Sequence, residues 1–308
     1  MTLLTHLLTA AHEGGYEPFS NVLFDLGPIA IYKYSFMILL GVLTALYLGL
    51  REGKKLGIEP DYIIDGLIII LPLSIIGARL YYVIFQWDLY KNDLFRILQI
   101  QEGGLAIHGG FIVAVLASYI YTKKRGLDIF KILDLLAPGF LIGQAFGRWG
   151  NFFNQEAHGG VVGGVESGVE ALSHGEQFTW LNETLRIPEF IVNMMYISGP
   201  DGLNYYHPTF LYESVWNLGG LILILVLRRT KFVRSGDMIG VYFIWYSVGR
   251  FFIEAMRTDA LFIGDTNLRI AQVISILMVV LGTAFIAVNH TVLRSKHYAK
   301  ILEENDLQ

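Results

Sequence analysis

The sequence predicts an all-α integral membrane protein of seven transmembrane helices. Its amino terminus is expected outside, its carboxyl terminus in the cytoplasm, and a small extracytoplasmic head segment between helices four and five. Three observations lead there. Hydrophobic residues make up 54% of the 308 and charged residues only 16%, against about 25% charged in soluble domains. The apolar residues fall in blocks long enough to cross a bilayer, and the basic residues gather in alternate loops between them. The net charge of −4 leaves no footprint for a nucleic acid. With no cysteine, a disulfide framework, a thiolate metal site and a cysteine nucleophile are excluded.

A spanning helix needs about 20 mainly apolar residues. Seven stretches qualify: 29–50, 62–86, 104–122, 129–148, 208–227, 238–256 and 269–290. They are too long, and alternate too little, for the strands of a closed barrel, the other structure that can span. Lysine and arginine in short loops set orientation. Arg51, Lys54 and Lys55 follow the first stretch and Lys123, Lys124 and Arg125 the third. Arg228, Arg229, Lys231 and Arg234 follow the fifth, and Arg294, Lys296 and Lys300 the seventh. With seven spans these thirteen residues share one side, which the positive-inside rule makes cytoplasmic. The first 27 residues do not read as a signal peptide, because they have no basic n-region and Glu13, Gly14 and Gly15 interrupt any apolar run. Segment 157–206 is glycine-rich, carries six acids against Arg186, and reads as a small outside domain or cap. The end, LEENDLQ, reads as a solvated tail. No inverted repeat of the transporter kind is visible.

A charge at the bilayer centre costs at least ~2.5–3.5 kcal/mol, so intramembrane charges face a protein interior or a wet cavity. The topology puts most of them in the outer half: Tyr34, Arg79 and His108; Arg148, Asn151 and Glu156 at the end of span four; His207, Tyr212 and Glu213 at the start of span five; Arg250, Glu254 and Arg257 in span six. Asp65, Lys131 and Asp134 fall near cytoplasmic ends, where charge costs little. Alone, Arg79 reads as a snorkelling or helix-pairing arginine, Asp134 as a packing or capping acid, and Glu213 either as an arginine's partner or as catalytic. Convergence of six helices at one depth favours a functional cavity. Tyr246, Arg250, Glu254 and Arg257 follow an i, i+4, i+8, i+11 spacing and share a helical face. The run GRWGNFFNQEAHGG (147–160) adds close-packing glycines to donors and acceptors at Arg148, Asn151, Asn154 and Glu156.

The sequence has no HExxH or HxxxH-type metal cluster, no P-loop and no GxSxG elbow, so no metal or cofactor is expected. Two or more arginines point to phosphate, which guanidinium groups bind by planar, charge-assisted pairs. At this depth the available phosphates belong to phospholipid headgroups, and a histidine nearby can take a proton near neutral pH. The residues thus read as an enzyme or a carrier that handles an anionic phospholipid in the outer leaflet.

The run 147–160 closely resembles the signature GR-x-GNF-x-N-x-E-x-x-G of bacterial phosphatidylglycerol–prolipoprotein diacylglyceryl transferases, through Gly147, Arg148, Gly150, Asn151, Phe152, Asn154, Glu156 and Gly159. IHGGF (107–111), HPTFLYES (207–214), GRFFIEAMRTD (249–259), YSFMILLG (34–41) and ARLYYVIF (78–85) are similar to further elements of that family, in the expected order. The head region 157–206 matches no element. The resemblance implies a multi-pass protein of the bacterial cytoplasmic membrane, with residues 1–290 as one transmembrane catalytic domain and 291–308 as a cytoplasmic tail. It implies transfer of the diacylglyceryl group of phosphatidylglycerol to the lipobox cysteine of a preprolipoprotein, giving a thioether and glycerol phosphate. Arg148 and Arg250 would then hold the phosphate, Asn151 and Tyr34 orient the headgroup, and Glu156 and Glu254 position the arginines. His108 would accept the thiol proton, with Tyr246 as a second candidate, or only shape the pocket. The alternative from another class is a phospholipid or anion transporter using the same arginines.

Overall fold

The computed structural model describes residues 20–164, 172–199, 201–264 and 266–306, apart from Leu26, Pro28 and Ile29. All seven apolar stretches are helical: α1 (Lys33–Lys55), α2 (Pro60–Phe85), α3 (Ile107–Lys124), α4 (Ile129–Phe153), α7 (Thr209–Leu227), α8 (Asp237–Met256) and α9 (Ile270–Val288). Five of them, α1, α2, α4, α7 and α9 with its extension to Leu293, are long and apolar enough to cross a membrane. In α8 the charges of Asp237, Arg250 and Glu254 dilute the apolar character, and in α3 His108, Lys123 and Lys124 do so. Local rules explain the ends. Pro60 opens α2, where its missing N–H has no helical partner to lose, and Lys54 and Lys55 close α1 against the negative end of its dipole.

Contacts divide the chain into two compact units. One comprises Met1–Gly41, Gln144–Trp216 and Gly249–Gln272; the other comprises Val42–Gly143, Asn217–Val248 and Val273–Gln308.

In the first unit a hairpin of β1 (Val22–Asp25) and β2 (Ala30–Tyr32) leads into α1. The head is folded: α5 (His174–Thr179), α6 (Glu189–Met194), and an antiparallel pair of β3 (Tyr196–Gly199) with β4 (Gly202–Tyr205). Ser173 and Glu176 form a reciprocal capping box at the start of α5, and these bonds hold the Glu176 carboxyl below its ordinary range. Leu181, Ile191, Val192, Tyr205 and Tyr206 form its core with Phe152 of α4 and Phe210 of α7. Removal of this apolar surface from water, worth about 25 cal/mol per Å², explains why a glycine-rich, acidic segment folds.

In the second unit α2 and α3 cross at Gly77 and Gly109, where a Cβ on Gly109 would lie 2.5 Å from the Gly77 carbonyl oxygen. Arg79 neither snorkels nor pairs helices. Its guanidinium is buried and donates to the carbonyls of Ile97 (2.9 Å), Gly103 (2.7 Å), Gly104 (2.9 Å), Arg96 (2.5 Å) and Gln99 (3.4 Å), gathering the connection between α2 and α3 around one cation. Asp134 is the capping acid expected, but it is fully buried rather than near solvent. It accepts from the backbone N–H of Gly236 (2.7 Å) and Met238 (3.1 Å) at the start of α8. In the end expected to be solvated, Glu303 and Glu304 are exposed, while the residues just before it are anchored. Helix α10 (Tyr298–Asp306) buries Tyr298 and Ile301, and Asn305 donates to the Lys55 carbonyl at 3.0 Å. The Tyr298 hydroxyl donates to Glu52 Oε1 (2.9 Å), whose other oxygen receives Arg229 (2.5 Å) and faces Arg228 (3.4 Å).

Candidate active site

Helix α4 continues through GRWGNFF to Phe153, so Arg148 and Asn151 stand on its last turns rather than in a loop. Gly150 leaves room for the Tyr34 ring: a Cβ there would lie 2.6 Å from its Cδ2. After Phe153 the chain turns sharply, with Gln155 (φ 53°) and Ala157 (φ 56°) both in the left-handed region. Such backbone costs of order 1–3 kcal/mol per residue and persists where the surroundings over-determine it. Here the Ala157 carbonyl is held by the Thr209 hydroxyl at 2.7 Å, and the Glu156 N–H donates to the Asn151 carbonyl at 3.1 Å. Glu156 is thereby aimed back at the helix end. Its Oε1 accepts from the amides of Asn151 (2.9 Å) and Asn154 (3.3 Å), while Asn151 Oδ1 accepts from Arg148 Nη1 (3.0 Å).

The centre is Glu213, on the first turns of α7 and only 2% exposed. Arg148 Nη2 lies 2.9 Å from its Oε1 and Arg250 Nη1 lies 3.3 Å from its Oε2. Arg250 Nη2 also reaches Glu254 Oε2 at 2.7 Å, the i, i+4 pair that the span-six spacing anticipates. Two guanidinium groups and two buried carboxylates thus balance in charge, but not in direction. Among the described residues, Glu213 Oε1 and Glu254 Oε2 accept no aligned hydrogen bond, although an arginine nitrogen stands within 3 Å of each. Each arginine keeps one aligned bond, Arg148 Nη1 to Asn151 and Arg250 Nη1 to Glu213 Oε2, and meets one carboxylate oxygen by charge alone, which leaves donors that an anion could engage.

Tyr34, Arg148, Asn151, Glu156, Arg250 and Glu254 thus all belong to the first unit. His108 and Tyr246 belong to the second. His108 is exposed on the first turn of α3, its ring 6.3 Å from that of Tyr81. Tyr246 stacks on Tyr242 at 5.8 Å. Glu213 is the residue that the sequence-based site omits. The signal for it was present, since an acid in HPTFLYES at the start of a span calls for a buried cation. In the same motif His207 packs edge-on to Trp180 and lies 3.3 Å from the Tyr212 hydroxyl; its burial lowers its proton affinity.

Several helices of membrane-spanning length and apolar character define a multi-pass membrane protein, and its first unit carries the arginine–glutamate cluster. A sequence model of the prolipoprotein diacylglyceryl transferase family matches residues 21–288. A phosphatidylglycerol–prolipoprotein diacylglyceryl transferase of Bacillus mycoides is 48% identical over 275 residues, 89% of this chain and 94% of the relative. One of Bacillus cereus is 49% identical over 268 residues (87% and 91%), and one of Bacillus anthracis 47% over 275 (89% and 94%). The chain belongs to the prolipoprotein diacylglyceryl transferase family.

Proposed function

We propose that this enzyme transfers the sn-1,2-diacylglyceryl group of phosphatidylglycerol to the lipobox cysteine thiol of a preprolipoprotein, forming a thioether and releasing glycerol phosphate. The observation that carries the reading, beside the family, is the convergence of Arg148 and Arg250 on one buried carboxylate. The substrate sulfur attacks the glycerol carbon that bears the phosphate ester. A C–S bond forms as the C–O bond breaks, the electron pair leaves on a phosphate oxygen, and the thiol proton passes to a base. Arg148 and Arg250 swing from Glu213 toward the phosphate and stabilise the charge that grows on the leaving oxygen. Glu213 and Glu254 keep the two guanidinium groups apart and oriented, Glu156 does so through Asn151, and Asn151 with Tyr34 orients the headgroup. His108 is the proposed proton acceptor, with Tyr246 as the second candidate. The thiol is the substrate's, so a chain without cysteine fits the chemistry. An ordinary thiol, with a pKa near ~8.5, needs such a base at neutral pH.

The same reading takes all seven helices as spans, with the head outside and the carboxyl terminus inside, in the bacterial cytoplasmic membrane. The thirteen basic loop residues on one side support that orientation. Residues 1–290 then work as one catalytic domain and 291–308 as its cytoplasmic tail. The test is incubation of the purified protein with labelled phosphatidylglycerol and a lipobox peptide; a diacylglyceryl-modified cysteine is expected. Movement of lipid without modification would instead make the protein a transporter. For His108→Gln, an unchanged pH–rate profile would remove it as the base.

A further inference from the structure

The end of α8 carries a second arginine centre that the reaction above does not use. Arg257 donates Nε to Asp259 Oδ1 (2.8 Å) and Nη2 to Asp259 Oδ2 (2.6 Å), a two-toothed fork. Its two ends are unequal: the Arg257 side chain is 10% exposed and the Asp259 carboxylate 52%. The cation is therefore fixed, and the anion sits at the surface in the place where a phosphate would sit. Arg269 reaches the backbone of the same turn. Its Nη1 donates to the backbone carbonyls of Glu254 and Arg257, and its guanidinium lies over Phe262, 5.7 Å from the ring centre. Besides Asp259, the carboxylates of Glu213 and Glu254 act on the charge of Arg257.

Backbone bonds lock this turn beside the site already described. The Gly160 N–H donates to the Met256 carbonyl at 3.1 Å, and Gly159 bridges Arg257. Asp259 lies close enough to feel the charge of Arg250 as well as that of Arg257, and its carboxyl is held below the usual range, first by the Arg257 hydrogen bonds.

We propose that Arg257 and Arg269 form an exit subsite for a phosphate monoester, with Asp259 as the resident carboxylate that the phosphate displaces. A phosphate monoester presents the same pair of coplanar oxygens to the Arg257 fork. The identity of the monoester as glycerol phosphate rests on the transferase reading; the anion site does not. Glycerol phosphate leaving the Arg148–Arg250 pair would be handed to Arg257, and Asp259 would return as it departs, which prevents the product from holding the site.

The experiment is direct binding of glycerol phosphate and of inorganic phosphate to the full chain in phosphatidylcholine nanodiscs, followed by calorimetry. Removing the competing carboxylate in Asp259→Asn should tighten binding about fivefold, the size of an exposed ion pair. Arg257→Gln should weaken it by about tenfold, and both trends should survive in Arg148→Gln. A gain of affinity cannot come from misfolding, so Asp259→Asn is decisive. Unchanged binding in Asp259→Asn, no binding to the wild type, or binding lost in Arg148→Gln but kept in Arg257→Gln would each overturn the proposal. So would an Asp259 effect confined to discs containing phosphatidylglycerol, which would place the lipid headgroup there instead. If the binding pattern holds but no lipid is transferred to a lipobox peptide, the transferase reading fails and the anion site stands.

Discussion

Two clusters in this molecule are made of the same parts. In the first unit Glu213 stands between Arg148 and Arg250; in the second, Glu52 stands between Arg228 and Arg229. Both glutamates are 2% exposed. They differ in completion. Around Glu52, the Tyr298 hydroxyl satisfies Oε1 and Arg229 satisfies Oε2. Around Glu213, Oε1 accepts no aligned bond, and Arg250 is shared with Glu254. The Glu52 carboxylate, bonded at both oxygens, fastens α10 to the end of α1 although Arg228 Nε beside it has no partner among the described residues; the Glu213 carboxylate is bonded at Oε2 alone. A pair of arginines at a buried acid therefore says little about function until its hydrogen bonds are traced.

The contrast can be broken most sharply at the arginines. Arg148→Ala or Arg250→Ala should cut turnover by about 10²–10³, the usual effect of removing one charge-stabilising donor, in a transfer assay with excess lipid. Full activity in either would refute the phosphate clamp. Exchanging the acids comes next. Glu52→Gln leaves the buried Arg228 without its counter-charge and should destabilise the fold by about 3 kcal/mol in thermal unfolding, with kcat of the surviving folded enzyme unchanged. Glu213→Gln should do the reverse, lowering kcat/KM about tenfold or more with the smaller shift in unfolding. Equal effects of the two on both readouts would erase the distinction.

A smaller change probes the closing bond alone. Tyr298→Phe keeps the ring in its pocket and removes the hydroxyl from Glu52, at a cost of about 2 kcal/mol for a bond to a charged group, read again by unfolding. The smallest effect concerns His207. Its burial lowers the folded pKa below the ordinary 6.5. The unfolded chain therefore takes up a proton first as pH falls, and stability declines from about 6.5 down to the folded value. Wild type should lose melting temperature over that window more steeply than His207→Gln; parallel curves would mean that His207 is not held neutral.

How much of this was legible in the sequence follows from the range of the contacts involved. The helices were legible because a 20-residue apolar block is a local signal, and each of the seven stretches is helical in the structure. Arg250 with Glu254 was legible for the same reason, being one turn apart. Arg148, Glu213 and Arg250 are separated by 65 and 37 positions; spacing cannot say which acid meets which arginine, and Glu213 was left open between structural and catalytic. The head was legible as a small domain but not in its elements. Its core draws on Phe152 and Phe210 at the ends of flanking helices, so the segment 157–206 read alone lacks the residues that explain its fold. The tail read as solvated because Tyr298 lies just before the acidic run and its partner Glu52 is 246 residues away.

The carbonyl cage of Arg79 joins α2 to a later part of the chain. A bare buried arginine is costly, and here five backbone oxygens from residues 96–104 satisfy it. Those oxygens are synthesised after α2, in the connection that precedes α3. The cage of Arg79 is therefore complete only once residues 96–104 exist, so α2 depends on the connection that follows it to satisfy its own buried cation.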